Sequence, residues 1–231
     1  MKGSSIRSCI LALTSMVCLV SGVPVLADPP IGSRLGERLE KVQVNNEAES
    51  AIAGQSWARC VVDLREKSVL MFLRAANPEA AKKPVWAFVH EIECNNFQSN
   101  SPLSEGQVVN MPTDILRGSL AEAFLRKSKI PALSANPLQR VYSRSWYQYT
   151  DRNLSVDEMA TCVADTAPKG VLELLASVPY SSEEKNAISA LSPNLGVCLS
   201  VGAKLLANRQ GLRAALAEAL FHRVIEIETG K

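Results

Sequence analysis

From Glu47 onward, apolar residues recur at intervals of three and four, and no stretch alternates with period two between turn signals. The pattern predicts helices and no strands. Its strongest stretch occurs twice: Leu116-Arg117-Gly118-Ser119-Leu120-Ala121-Glu122-Ala123 returns as Leu212-Arg213-Ala214-Ala215-Leu216-Ala217-Glu218-Ala219. Placed at about 100° per residue, Leu212, Leu216, Ala219, Leu220 and Ile227 share one face, while Ala214, Ala217, Phe221, Val224 and Ile225 cover much of the other. Glu218, His222 and Glu226 form a narrow polar seam, matched in the first copy by Glu122 and Arg126. Such a helix is expected to be surrounded by its neighbours. Glu122–Arg126 and Glu218–His222, each four residues apart, read as pairs supporting a solvated seam; a catalytic pair is the sharper alternative. Arg117 and Arg213 sit at the rim of the apolar face. A guanidinium bonding a neighbouring helix end or a carboxylate is expected there, with Asp63 and Asp165 as candidate partners.

The doubling extends backward. Trp57-Ala58-Arg59-Cys60-Val61-Val62-Asp63 matches Met159-Ala160-Thr161-Cys162-Val163-Ala164-Asp165 at an offset of 102, and the run from Val69 to Leu73 matches Val171 to Leu175 at the same offset. Cys94 then pairs with Cys198 at 104, and Arg117 with Arg213 at 96. Four blocks in one order indicate a tandem duplication. Each copy reads as about four helices, repeat 1 over 47–130 and repeat 2 over 154–231, joined by a linker over 131–153. The linker carries Trp146-Tyr147-Gln148-Tyr149. Either these rings pack it onto one repeat, or Trp146, Tyr147 and Tyr149 form an exposed interaction patch. In the second copy Ser155 with Glu158 and Ser181 with Glu184 have capping-box spacing. Asp165 or Thr166 is expected to cap the helix opened by Pro168, Pro193 to interrupt the next, and Asn208 to cap the last. In the first copy Asp63 is expected to precede the second helix, Pro84 to open the third and Thr113 to cap the fourth. Gln98 to Pro112, rich in Ser, Asn, Pro and Gly, reads as a longer surface loop.

Residues 1–27 read as a signal peptide, with Lys2 and Arg7 ahead of the twelve-residue apolar run Cys9 to Val20 and the small Ala27 at the cleavage point. That run is too short to span a bilayer. Residues 28–46 read as a flexible arm. The leader takes two of the 25 basic residues and none of the 23 acidic ones, so the mature chain carries a formal charge of zero. Neutrality argues against nucleic acid as a partner, and no mature stretch is apolar for long enough to insert stably in a membrane. Four cysteines remain after cleavage. If each copy folds as a unit, they pair as Cys60–Cys94 and Cys162–Cys198. Disulfides in a chain with a leader imply a periplasmic or secreted location.

Candidate chemistry is sparse. His90-Glu91-Ile92-Glu93-Cys94 approaches the H-E-x-x-H zinc signature, but a cysteine stands where the second histidine should be. No nucleophile elbow, phosphate loop or dinucleotide fingerprint is present, so no catalytic residue, metal site or cofactor is expected. The blocks W-A-R-C-V-V and L-R-x-x-L-A-E-A, with a cysteine between them, resemble a group of small exported alphaproteobacterial proteins with no assigned activity. The resemblance spans Trp57 to Arg126 and Met159 to Arg223; it implies a secreted, cysteine-bearing repeat and carries over no functional residue. The expected architecture is all-α, two tandem similar units of about four helices with one disulfide each. The expected role is a non-catalytic binding or interaction module for a protein partner. The alternatives are a carrier of a lipid or small apolar ligand, and an enzyme whose site lies at the junction of the repeats, holding His90 or His222 with a carboxylate in a deep pocket.

Overall fold

The computed structural model describes residues 47–75, 77–95, 111–130, 132–199, 203, 205 and 208–229. The leader, the arm and most of the loop from Gln98 to Pro112 lie outside them. The elements are α1 (Glu47–Leu73), α2 (Pro78–Val89), α3 (Ile92–Asn95), α4 (Thr113–Lys127), a 3-10 turn (Ser145–Tyr149), α5 (Leu154–Thr166), α6 (Pro168–Ala176), α7 (Ser182–Cys198) and α8 (Arg209–Thr229). Among the described residues there is no strand. The fold is all-α, in two similar units, each closed by one disulfide: Cys60–Cys94 and Cys162–Cys198, both with Cα atoms 5.6 Å apart.

Several boundaries differ from expectation. α1 joins two helical segments across a kink at Arg65, two residues after Asp63, where φ is −131° and ψ 32°, so the second segment starts close to where Asp63 was expected to precede it. The residue 102 positions later, Ala167, bends almost identically, with φ −135° and ψ 50°. There the helix does break, because the following Pro168 has no N–H to carry the ladder across. The two units thus share the bend, and proline alone turns it into a gap. Asn153, not Ser155, caps α5, its side chain accepting from the Ser155 N–H at 2.9 Å. Neither Asp165 nor Thr166 caps α6: Asp165 lies 3.4 Å from Arg223, and Thr166 donates its hydroxyl to the Cys162 carbonyl. α2 starts at Pro78 behind the Asn77 cap, with Pro84 inside it; Pro193 lies inside an unbroken α7. Both helices are held through the missing N–H by packing on the preceding helices. Thr113 is the first residue of α4, not its cap, and Pro112 precedes it without a side-chain bond. Ser181 and Asn208 do cap α7 and α8, accepting from the Glu184 and Gly211 N–H groups at 3.1 and 2.7 Å.

The doubled stretch supplies the centre. α4 and α8 make the most extensive helix–helix contact in the molecule, and one apolar core runs through both units. At their crossing, a Cβ added to Gly118 would lie 2.3 Å from Ala214 Cα and 2.6 Å from its carbonyl oxygen. Only glycine permits that backbone approach. Gly118 and Ala214 are equivalent positions of the two copies, so the crossing brings like to like, as on the axis of an isologous dimer. The linker lies against repeat 2. The Asn136 N–H donates to the Asp165 carbonyl at 2.8 Å, and Arg223 donates to the carbonyls of Ser134, Ala164 and Asp165.

Candidate functional site

The seam residues do not face solvent. Glu122 and Glu218 are buried, and the crossing of α4 and α8 directs each toward the arginine of the other copy. Arg117 Nε donates to Glu218 Oε1 at 2.6 Å. Reciprocally, Arg213 Nε and Nη2 donate to the two Glu122 oxygens, both at 2.8 Å, a bidentate pair. Each arginine also closes a helix end at equivalent points: Arg117 Nη2 donates to Leu73 O and Arg213 Nη2 to Leu175 O, both at 3.0 Å. Helix ends and carboxylates were the expected partner types, but the partners are Glu218 and Glu122 rather than Asp63 and Asp165. Asp63 instead lies 3.6 Å from Lys127.

Further charges complete two neutral sets. Around Glu218, Arg152 donates at 2.6 Å and at 2.7 Å to Asp157, which also accepts from the Thr150 hydroxyl at 2.6 Å. Around Glu122, Gln55 donates at 2.8 Å and Arg126 at 3.1 Å, while Arg213 also reaches the buried Glu184 at 2.8 Å. Burial alone would raise the Glu218 carboxyl, but the Arg117 and Arg152 guanidiniums, with His222, outweigh it and hold the group well below the usual carboxylate range. Burial lowers His222, against the opposing pull of Glu218 at 3.8 Å. The Asp114 carboxyl is raised by burial.

The aromatic cluster packs rather than projects. Trp146 stacks on His222 with ring centroids 4.4 Å apart and planes 6° from parallel. The Tyr147 hydroxyl donates to Thr161 at 2.8 Å, and burial pushes its pKa up to about 12. Trp146 and Tyr147 are buried and Tyr149 half-buried, which leaves these rings little surface to offer a partner. His90, the residue that ends α2, stacks on the exposed Trp86 with ring centroids 3.9 Å apart. The four expected cysteines form the two bridges. Among the described residues, no group of three or more His, Cys, Asp and Glu side chains is placed to hold a metal ion.

The cleft that reaches the junction, lined by Gln55, Ser119, Glu122, Tyr180, Gln210 and Arg213, has a volume of about 10 Å³, room for one water. A larger opening lies elsewhere, between the C-terminal half of α1 and α2, where a groove of about 740 Å³ is walled by Leu70, Met71, Ala80, Pro84 and Ala87. Arg74, Lys83 and Glu79 stand at its rim; Glu79 pairs with Lys82 at 2.5 Å.

No protein family, curated protein or solved structure matches this chain.

Arg152, Asp157 and Arg223 escaped the sequence reading, and Glu184 entered it only through its capping-box spacing from Ser181. Asp157 and Glu184 look like ordinary acids in a first helical turn, and Arg152 belongs to a linker with no periodicity. Asp157 did carry one signal: it stands 102 residues after Gln55, and both positions serve the same seam from equivalent helices.

Proposed function

We propose that this is a non-catalytic binding protein, exported through its leader to the periplasm or beyond. Its two disulfides indicate an oxidising compartment, and no described helix is long and apolar enough to cross a membrane. The observation that carries the reading is the saturation of the junction. The paired carboxylates and guanidiniums there neutralise one another, and the cleft beside them admits nothing larger than a water. A catalytic acid or base must reach a substrate proton, and Glu122, Glu218 and Glu184 are committed to arginines instead. The apolar-walled groove on α1 and α2 favours a small apolar ligand as cargo over a second reading, a protein partner. Standard protein interfaces bury about 800 Å² per side, far more than one groove between two short helical segments. The mature protein, purified from its native compartment and analysed by native and denaturing mass spectrometry, is expected to release a small molecule. Turnover of a substrate dependent on Glu122 or Glu218 would refute the reading.

A further inference from the structure

The two units serve as internal references for each other at the groove. The bend at Arg65 and Ala167 fixes α1 against α6 at an offset of 102. The burial pattern fixes α2 against α7 at 103: Phe88 and Leu191 are buried at equivalent points, and Val85 and Ile188 half-buried. In the second unit Gly170 lets α6 close on α7, so that an added Cβ would lie 2.7 Å from Leu191 Cδ2. The equivalent pair in the first unit is Ser68 with Phe88, both bulkier, and the groove opens beside Ser68.

The charges of the walls differ between the units: Glu79 is an added acid where the second unit has Ser182, but four other wall positions have lost an acid or gained a cation. Where the second unit has the exposed acids Glu173 and Glu183, the first has Met71 and Ala80. Where the second has Ala176 and Asn186, the first has the cations Arg74 and Lys83. Neither Arg74 nor Lys83 forms an ion pair with another described residue, and the rim acid Glu79 is taken by Lys82. A carboxylate placed between these two exposed cations, with its chain along the apolar walls, would match both halves of the groove. Its volume falls in the range of small-ligand sites, about 300–1,000 Å³.

We propose that this groove binds a single-chain amphiphile with an anionic carboxylate head, a free fatty acid, with the chain along Leu70, Met71, Ala80, Pro84 and Ala87 and the head between Arg74 and Lys83. The proposal rests on the binding-protein reading and names its ligand class. The test is calorimetric titration of the mature full-length protein with dodecanoate below its micelle-forming concentration. Dodecyltrimethylammonium serves as the opposite-charge probe, and flotation with phosphatidylglycerol vesicles as the membrane probe. Dodecanoate is expected to bind at least tenfold more tightly than the cation. The double variant R74E/K83E should lose at least tenfold in dodecanoate affinity, as should M71E/A80E, which restores the acids of the second unit. All four positions are exposed, so circular dichroism should report an intact fold. Equal binding of both amphiphiles, unchanged affinity in both variants, or binding to vesicles without binding to monomeric dodecanoate would each overturn the fatty-acid assignment. Release of a different small molecule from the native protein would then leave the broader binding reading standing.

Discussion

At the scale of single residues, the buried charges are where stability is most exposed to mutation. Replacing a buried ion pair by apolar groups can be neutral, but removing one partner strands the other. Arg213 answers both Glu122 and Glu184, so Arg213→Met leaves the buried Glu184 without its guanidinium and Glu122 with Arg126 as its remaining ion-pair partner. A loss of about 3–5 kcal/mol is expected from urea unfolding. Arg213→Lys should recover only part of it, because one ammonium cannot reproduce the bidentate bond to Glu122 while also reaching Glu184 and Leu175 O. His222 gives a pH-dependent counterpart. Glu218 and Glu226 lie on its own helix, Arg117 faces it from α4, and Trp146 covers its ring. Burial lowers its pKa below the unfolded value of about 6.5, so the unfolded chain binds the proton first. Its contribution is therefore whole above about pH 6.5 and is lost as pH falls toward the folded pKa. Urea midpoints measured from pH 7.5 to about 5 should drop, and His222→Phe, which keeps the stacking on Trp146, should flatten that part of the curve. Glu218, held far lower, does not titrate in this window. The arginines themselves were legible in sequence, because a cation at the rim of an apolar face recurred in both copies. Their partners were not, since an i, i+4 pattern on one helix hides the choice between solvent and a guanidinium from another helix.

At the scale of elements, helical periodicity foretold a buried central helix in each copy, but the contact between the two copies depends on a detail that periodicity ignores. Gly118 counts as a weak helix residue, yet it is the point where α4 meets the backbone of Ala214. Gly118→Ala gains helix propensity and would nonetheless force the helices apart. A net destabilisation of about 3 kcal/mol is expected, at the upper end for an overpacked core, and a gain in thermal midpoint would contradict the crossing. Ala214→Gly, at the equivalent position, should cost no more than the propensity difference of about 1 kcal/mol. The break in the first unit was legible to within two residues: Asp63 marked it, and the backbone leaves helical geometry at Arg65, but without a proline after it the bend remains a kink.

At the scale of the whole molecule, two all-α units with one disulfide each were readable, whereas the way they join was not. Two independently folding halves would each keep their own charges. Here Arg117 pairs with Glu218 and Arg213 with Glu122, so each copy supplies the counter-ion the other has buried. The core is likewise shared. Separating the copies would take from each glutamate one of its two guanidiniums and open the shared core, and the two units should therefore unfold together even when only one is weakened. The disulfides offer the means. They close loops of 34 and 36 residues, one in each unit, and each is expected to contribute about 3–4 kcal/mol by restricting the unfolded chain. In C162S/C198S only the second unit loses its bridge. Hydrogen exchange of α1 and α5 amides should nevertheless report the same reduced opening free energy, and circular dichroism and tryptophan fluorescence should follow one urea transition. If α1 kept its protection while α5 lost it, the cross-copy ion pairs would be too weak to couple the units.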